Sequence, residues 1–269
     1  MSGKSRQHEL EVEISATAER VWQGVSTAEG IASWFAPIAR VTPGVGGTVF
    51  LRWGDGVEGA SRIEVWEPER HLRLATDRGE GAPPSVVDYF LEGKGGSTVL
   101  RLVHSGFGPE ASCDDEYEST GSAWPVFLTM MKHSAEHGLD GVCNATVFRI
   151  LDRSREECWD TLMGPRGLGA GPALAHAAPG GRLAVRDASG ESLDAVVRHS
   201  GSWLCCLEFP GLRDAMLSVF CENAGGQAML TLTWLLYGTA PDEAEAIRER
   251  WSEFVDRLFT RGAAGGGLE

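Results

Sequence analysis

The chain has no excess of basic charge. Its 269 residues contain 24 Lys and Arg against 38 Asp and Glu, which gives a formal net charge of −14. Both halves are acidic: residues 1–138 hold 12 basic against 20 acidic side chains, and residues 139–269 hold 12 against 18. Phosphate binding needs a basic surface, so we predict that neither half binds nucleic acid.

The sequence also has no hydrophobic run long enough to cross a bilayer. A spanning helix needs about 18 or more apolar residues in succession, and no such stretch occurs. The polar start MSGKSRQHELE does not contain the apolar core of a signal peptide. We therefore expect a cytoplasmic protein that does not insert into membranes.

Cysteines are few and are not spaced as metal ligands. None of the six forms a CxxC pair, and the chain contains no HExxH, GxSxG or phosphate-binding loop. We predict reduced thiols, no metal site and no bound cofactor. Because no catalytic motif is present, a binding protein is favoured over an enzyme.

What the sequence does contain is a repeat. FLEGKGGSTVLRLVHSGFG at 90–108 recurs as FCENAGGQAMLTLTWLLYG at 220–238, with seven of the nineteen positions identical. Average residue usage would give about one or two identities. An offset of this size matches one domain, so we predict tandem domains at 1–138 and 139–262 and a flexible tail at 263–269.

Both halves show the same order of elements. An alternating strand opens each half, a short helix follows, several alternating runs form a meander, and a helix with one apolar stripe closes it. The closing helix of the second half is predicted to begin near Pro241. In the first half, Pro125 lies either in the first turn of the closing helix or inside a longer helix that it kinks. After its first helix the first half has a second short helix, AEGIASWFA. The second half has GPRGLGAGPALAHAAPGG there, which predicts a mobile loop.

This order of elements is typical of the helix-grip fold, in which a curved antiparallel sheet wraps a long helix and leaves a cavity between them. Three segments, ISATAERVWQGVSTAEGIASWFAP, VWEPERHLRLA and LEGKGGSTVLRLVHSGF, resemble the activator of Hsp90 ATPase homologue branch of the START/polyketide-cyclase (SRPBCC) superfamily. The similarity covers about residues 8–138, and the second half joins it through the internal repeat. The resemblance implies an α+β chain of two tandem helix-grip, START-like domains.

The resemblance also implies a class of function. Its relatives include lipid and hormone binders, aromatic polyketide cyclases, proteins that bind a reactive natural product, and co-chaperones. We predict binding of a small hydrophobic or aromatic molecule between sheet and long helix, mainly in the first domain. Two alternatives remain open, a polyketide aromatase/cyclase-like enzyme using the same pocket and a structural or docking module with filled cavities. No direct chaperone partner is expected, because the helix-grip pattern starts by residue 8, without the chaperone-binding domain that precedes it in the eukaryotic co-chaperones.

Strand phase selects the predicted ligand-binding residues. If Arg52, Asp88 and Arg101 face water, the residues that alternate with them face the cavity. The closing helix contributes its apolar stripe, and a Trp-Phe pair at the end of the second short helix forms a gate. The predicted ligand-binding residues are Trp34, Phe35, Val49, Leu51, Trp53, Tyr89, Leu102, His104, Phe127, Met130 and Met131.

His104 and Tyr89 are the only candidate catalytic residues. His104 could bond a ligand, or act as a general base on a substrate that Tyr89 holds beside it. Alternatively, it is a strand-end histidine bonded to backbone or water. Trp34 and Phe35 either form the gate or belong to the core. The second copy has Trp234 in place of His104, which predicts a plugged second cavity.

Overall fold

The computed structural model describes residues 6–54, 56–79, 82–108 and 113–260. Its contacts divide the chain into two compact units, Met1–Asp140 and Gly141–Glu269. Each unit is one antiparallel sheet with a long C-terminal helix, so the prediction of an α+β chain with two helix-grip units is confirmed. The predicted tail, 263–269, lies outside the described residues.

The first unit has a seven-stranded sheet built as a meander. Its strands are β1 (Arg6–Ile14), β2 (Ile38–Thr42), β3 (Thr48–Gly54), β4 (Val57–Glu67), β5 (His71–Thr76), β6 (Ser85–Lys94) and β7 (Ser97–Phe107). They are ordered β1-β7-β6-β5-β4-β3-β2, so only β1 pairs out of sequence. The predicted strands are all present. The short edge strand β2 was not predicted, because its five residues include only three apolar ones.

Three helices complete the first unit: α1 (Ala18–Ser26), α2 (Ala28–Ala32) and α3 (Asp114–His137). Thr17 and Thr27 cap α1 and α2, their hydroxyls accepting from the backbone N–H groups three residues on. Helix α3 is the longer of the two predicted alternatives and carries Pro125 in its interior. Its first turns are polar, and the acidic residues there complement the helix dipole.

The second unit repeats this plan with one strand fewer. Its elements are β8 (Val142–Leu151), α4 (Arg155–Met163), α5 (Gly171–Leu174), β9 (Arg182–Arg186), β10 (Ser192–Ser200), β11 (Leu204–Phe209), β12 (Ala215–Ala224), β13 (Gln227–Tyr237) and α6 (Pro241–Thr260). The strands are ordered β8-β13-β12-β11-β10-β9. The closing helix α6 begins at the predicted proline.

The Gly- and Pro-rich segment 164–181 differs from its prediction as a mobile loop. It contains α5 and buries Leu168, Ala170 and Leu174 in the core of the second unit. Glycine makes the tight turn before α5 possible, since a Cβ at Gly167 would lie 2.0 Å from the carbonyl oxygen of Leu162. The apolar residues between the glycines anchor the segment.

The repeated hairpins share one register. Tyr89 pairs with Leu102 across β6 and β7, and Val219 pairs with Leu232 across β12 and β13. His104 and Trp234 each follow two residues later, so they occupy equivalent positions on the inner faces of the two sheets. Both turns use a Gly-Gly pair with positive φ, which explains why the glycines recur in both copies.

The strand phase holds with one qualification at Asp88. This residue lies on the outer face as predicted, but it is only 5% exposed. His71 places Nε2 2.6 Å from its Oδ1, and the Nη1 of Arg73 is 3.7 Å from its Oδ2. Two longer side chains on β5 therefore cover the carboxylate, which is why a water-facing position is buried.

Candidate functional site

An aromatic group stands between the sheet and α3 in the first unit. The ring of Phe35, just after α2, lies 5.3 Å from that of Trp53, 4.7 Å from that of Phe127 and 6.0 Å from that of Trp124. Phe35, Trp53 and Phe127 are each half-buried. We call these four residues the Phe35 cluster. It brings together three of the predicted ligand-binding residues and leaves part of their aromatic surface open.

Three other predicted residues belong to the interior instead. Trp34 is 1% exposed, and its Nε1 donates to the carbonyl oxygen of Gly24 at 2.8 Å. The methyl carbon of Met131 lies 3.0 Å from where a Cβ on Gly24 would stand, so Met131 packs against α1. Met130 is 1% exposed. These contacts indicate core positions and favour, for Trp34, the core interpretation over the gate.

The strand residues of the predicted site divide in the same way. Val49 and Leu102 are fully enclosed, and Leu51 is half-buried. Tyr89 is 5% exposed, and its ring lies 6.4 Å from that of Trp124. No described residue bonds its hydroxyl, yet this oxygen is not sealed from solvent. Burial raises the pKa of Tyr89 above its usual value, so the phenol stays protonated and can donate to a ligand.

His104 is held at both ring nitrogens. Trp124 Nε1 donates to its Nδ1 at 3.0 Å, and Ser85 Oγ lies 2.7 Å from its Nε2. An indole can only donate, so Nδ1 must be the acceptor and the neutral ring carries its proton on Nε2. The bond to Ser85 then runs from the histidine to the hydroxyl. Neither interpretation from the sequence named these partners, since both side chains are distant in the chain.

The surroundings of His104 keep it neutral. Burial, together with the smaller effects of the nearby charges of Arg78 and His8, lowers the pKa of His104 to about 4. To act as a general base on Ser85 or on a substrate, His104 would need a ring nitrogen that is free to accept a proton. Its Nδ1 already accepts from Trp124, and its Nε2 carries the proton. The geometry therefore gives His104 the role of a fixed hydrogen-bond partner.

Two residues of this site were missed. Trp124 touches Phe35, Tyr89 and His104, and Ser85 orients the histidine. Trp124 had a usable signal, because its spacing to Phe127 on α3 recurs as Trp251 and Phe254 on α6. Ser85 had none, since one serine at the start of a strand carries no pattern.

The second unit keeps an open cleft of about 460 Å³ between its sheet and α6. Among its lining residues are Leu193, Trp234, Leu236, Ile247 and Trp251. The prediction that Trp234 plugs this cavity is wrong. The ring of Trp234 packs 4.9 Å from that of Phe209 and 5.5 Å from that of Trp251, so the three rings gather together and leave space beside them.

A second cleft, of about 520 Å³, adjoins the first at Asp187 and Arg257. Arg166 and Arg186 also line it, and the guanidinium of Arg186 donates to the carbonyl oxygen of Pro165. Its lining is therefore more basic than that of the first cleft.

Two further classes of site have no representative in the part of the chain that the structure describes. No group of three or more His, Cys, Asp and Glu side chains within 6–54, 56–79, 82–108 and 113–260 is placed to hold a metal ion. Within the same ranges, no helix combines the length and apolarity that a membrane crossing requires.

Comparison with known families finds a match in the first unit. Residues 15–136 match the family described as Activator of Hsp90 ATPase homolog 1-like protein. The match runs from the end of β1 to the last turn of α3. No curated protein matches the chain.

Solved structures resemble the chain at low identity. BexL, the di-domain ARO/CYC from the BE-7585A biosynthetic pathway, is 13% identical and covers 98% of this chain and 99% of its own, with a TM-score of 0.44. DynU16, from the dynemicin biosynthetic locus, is 19% identical and covers 95% and 97%, with a TM-score of 0.42. The Aha1 dimer from Colwellia psychrerythraea is 21% identical and covers 49% and 96%, with a TM-score of 0.42.

Proposed function

We propose that the first unit, whose residues 15–136 match the Activator of Hsp90 ATPase homolog 1-like family, binds a small hydrophobic or aromatic molecule between its sheet and α3. The observation that carries the proposal is the Phe35 cluster, whose rings are only half-buried although they stand between sheet and helix. Apolar surface that is left open beside a core is the usual lining of a ligand site.

The nearby polar groups support a ligand that is mostly apolar. The Tyr89 hydroxyl and the indole N–H of Trp53 are donors that bond no described atom and are not sealed from solvent. His104 already has two partners, so it contributes shape and orientation. A flat molecule that stacks on the cluster and accepts a hydrogen bond from Tyr89 or Trp53 would use these features.

Binding is proposed ahead of catalysis for a physical reason. A cyclase-like reaction that moves protons needs a group with a pKa near the working pH. Burial lowers the pKa of His104 to about 4 and raises that of Tyr89, so both are neutral near pH 7. The proposed function is therefore retention of a ligand, with no bond made or broken.

Native mass spectrometry and thermal shift against fatty acids, sterols and aromatic polyketides test the proposal. For a compound that binds the wild type, Phe35→Ala should weaken binding about tenfold or more, because it removes the ring that contacts the other three. If no compound in the three classes stabilises the protein, the proposal fails.

Phe90→Ala is the matched control. Phe90 is also half-buried, but it lies on the outer face of the sheet, where it stacks 4.2 Å from His71 and lies under the guanidinium of Arg101. This variant should retain the affinity of the wild type. Equal loss of binding in both variants would instead indicate general destabilisation of the sheet.

A further inference from the structure

The cleft of the second unit is lined by two tryptophans whose indole N–H groups bond no described atom. Trp234 is 3% exposed and Trp251 is 4% exposed. The Nε1 of Trp234 is sealed and bonds no described atom. The Nε1–H of Trp251 likewise has no acceptor in the described part of the chain, but it is not sealed from solvent. A buried donor without a partner is unfavourable, so native proteins seldom leave one.

The repeat explains how this arrangement arises. In the first unit the equivalent pair is His104 and Trp124, in which the indole donates to the imidazole at 3.0 Å. Trp234 replaces the acceptor by a second donor, and the two indoles lie 5.5 Å apart between ring centroids. Neither ring can accept from the other. The replacement of histidine by Trp234 thus removes the internal hydrogen bond and leaves two indole N–H groups that only an acceptor from outside the protein can satisfy.

We infer that the cleft of the second unit is a separate binding site for a flat apolar molecule that carries a neutral hydrogen-bond acceptor such as a ketone. The carbonyl oxygen accepts from Trp251, whose N–H solvent can reach, and a small shift of the paired rings brings Trp234 within range. A volume of about 460 Å³ accommodates a molecule of a few fused rings. The site goes beyond the function proposed for the first unit and does not depend on it.

Charge at the rim of the cleft argues against an anionic ligand. Four carboxylates line it, from Asp187, Glu191, Glu243 and Glu253. Only two guanidinium groups do, and Arg257 is already paired with Glu253 at 3.3 Å. An acid head group would meet net repulsion there, whereas a neutral ketone or an amine would not.

Indole N–H spectra of the full chain, labelled with ¹⁵N at tryptophan, test this inference. The probes are 9-fluorenone, fluorene and 9-fluorenone-2-carboxylate, which keep one ring system while removing the acceptor or adding a charge. The signals of Trp234 and Trp251 are assigned from Trp234→Phe and Trp251→Phe. We expect fluorenone to move both signals, and fluorene and the carboxylate to bind about 5- to 10-fold more weakly.

Each phenylalanine variant should weaken fluorenone binding by the same 5- to 10-fold factor. The inference is overturned if neither signal moves with fluorenone, or if fluorene binds as tightly as fluorenone. The charge argument is overturned if the carboxylate binds equally well. Should the variants fail to fold, the comparison of probes on the wild-type protein still decides.

The same spectra separate this site from that of the first unit. Trp53 and Trp124 report on the Phe35 cluster, and Trp234 and Trp251 report on the second cleft. Movement of the first pair alone would leave the proposed function in place and overturn the second site. Movement of the second pair alone would support the second site, and the panel of fatty acids, sterols and aromatic polyketides would then decide on the first.

Discussion

Hydrogen-bond pairing separates two side chains that hold equivalent positions in the two units. His104 is fully paired, with Trp124 on one nitrogen and Ser85 on the other. Trp234 is unpaired beside Trp251. A polar residue in a cavity is therefore no guide to function by its type alone, because its neighbours decide whether any of its hydrogen-bonding capacity is left for a ligand.

The lowered pKa of His104 predicts a loss of stability in acid. An unfolded histidine has a pKa near 6.5, whereas burial lowers that of His104 to about 4 in the folded protein. Between these values the unfolded chain binds the proton first, so the free energy of unfolding falls as the pH falls through this window. The loss reaches up to about 3 kcal/mol at its lower end and is absent above the unfolded pKa.

His104→Asn isolates this effect, since an amide can accept from Trp124 and donate to Ser85 without titrating. Urea unfolding between about pH 7 and pH 4 should show a steeper decline for the wild type than for the variant. Parallel curves would mean that His104 titrates normally and is not held in the neutral form.

Trp34→Phe should separate packing from ligand binding. The change removes the donor to the Gly24 carbonyl and leaves a buried oxygen without its partner. We expect the free energy of unfolding to fall by about 1–3 kcal/mol, as measured by urea unfolding, with ligand affinity unchanged. If ligand binding were weakened and stability unchanged, Trp34 would belong to the gate predicted from the sequence and not to the core.

At the scale of elements, alternating residues and apolar stripes predicted the strands and helices that bury one face. Strands such as β5, whose leucines alternate with polar or small residues, could be predicted because one face is buried. Edge strand β2 could not, because a run of five residues is too short to show a clear alternation. The Gly- and Pro-rich segment before β9 is ordered because its leucines pack into the core, although its residues have low helix propensity.

The contact between α3 and β1 predicts an inverted effect for a standard helix substitution. Alanine normally stabilises a helix interior by about 1 kcal/mol over glycine. At Gly121 a new Cβ would lie 2.6 Å from the Cε1 of His8, whose ring is held by the Tyr117 carbonyl at 2.8 Å. Gly121→Ala should therefore destabilise the first unit, by about 1–2 kcal/mol in urea unfolding.

Ser122→Ala is the control for that change. Ser122 is exposed on the same turn of α3, and its hydroxyl bonds only the carbonyl oxygen of Glu118. Its replacement should leave stability unchanged or slightly higher, because alanine is the better helix former. If Gly121→Ala also stabilises, the His8 ring moves freely and the two elements are not locked at this point.

At the scale of the whole chain, the sequence predicted which aromatic side chains form the candidate site, but it did not predict their hydrogen bonds or the space beside them. Phe35, Trp53 and Phe127 follow from strand phase and helix spacing, which depend on local geometry alone. The pairing of His104 and the open space beside Trp234 depend on distances of about 3 Å between residues far apart in the chain. Such distances arise from packing of the completed fold, and no local pattern encodes them.

Two independent sites predict a definite stoichiometry for the full chain. The Phe35 cluster and the second cleft lie in different units and share no lining residue. At saturation, native mass spectrometry should find two molecules of 9-fluorenone per chain. Phe35→Ala should remove one and Trp234→Phe should weaken the other, with additive effects in the double variant because the sites have no common partner. A single bound molecule, lost in either variant, would contradict this.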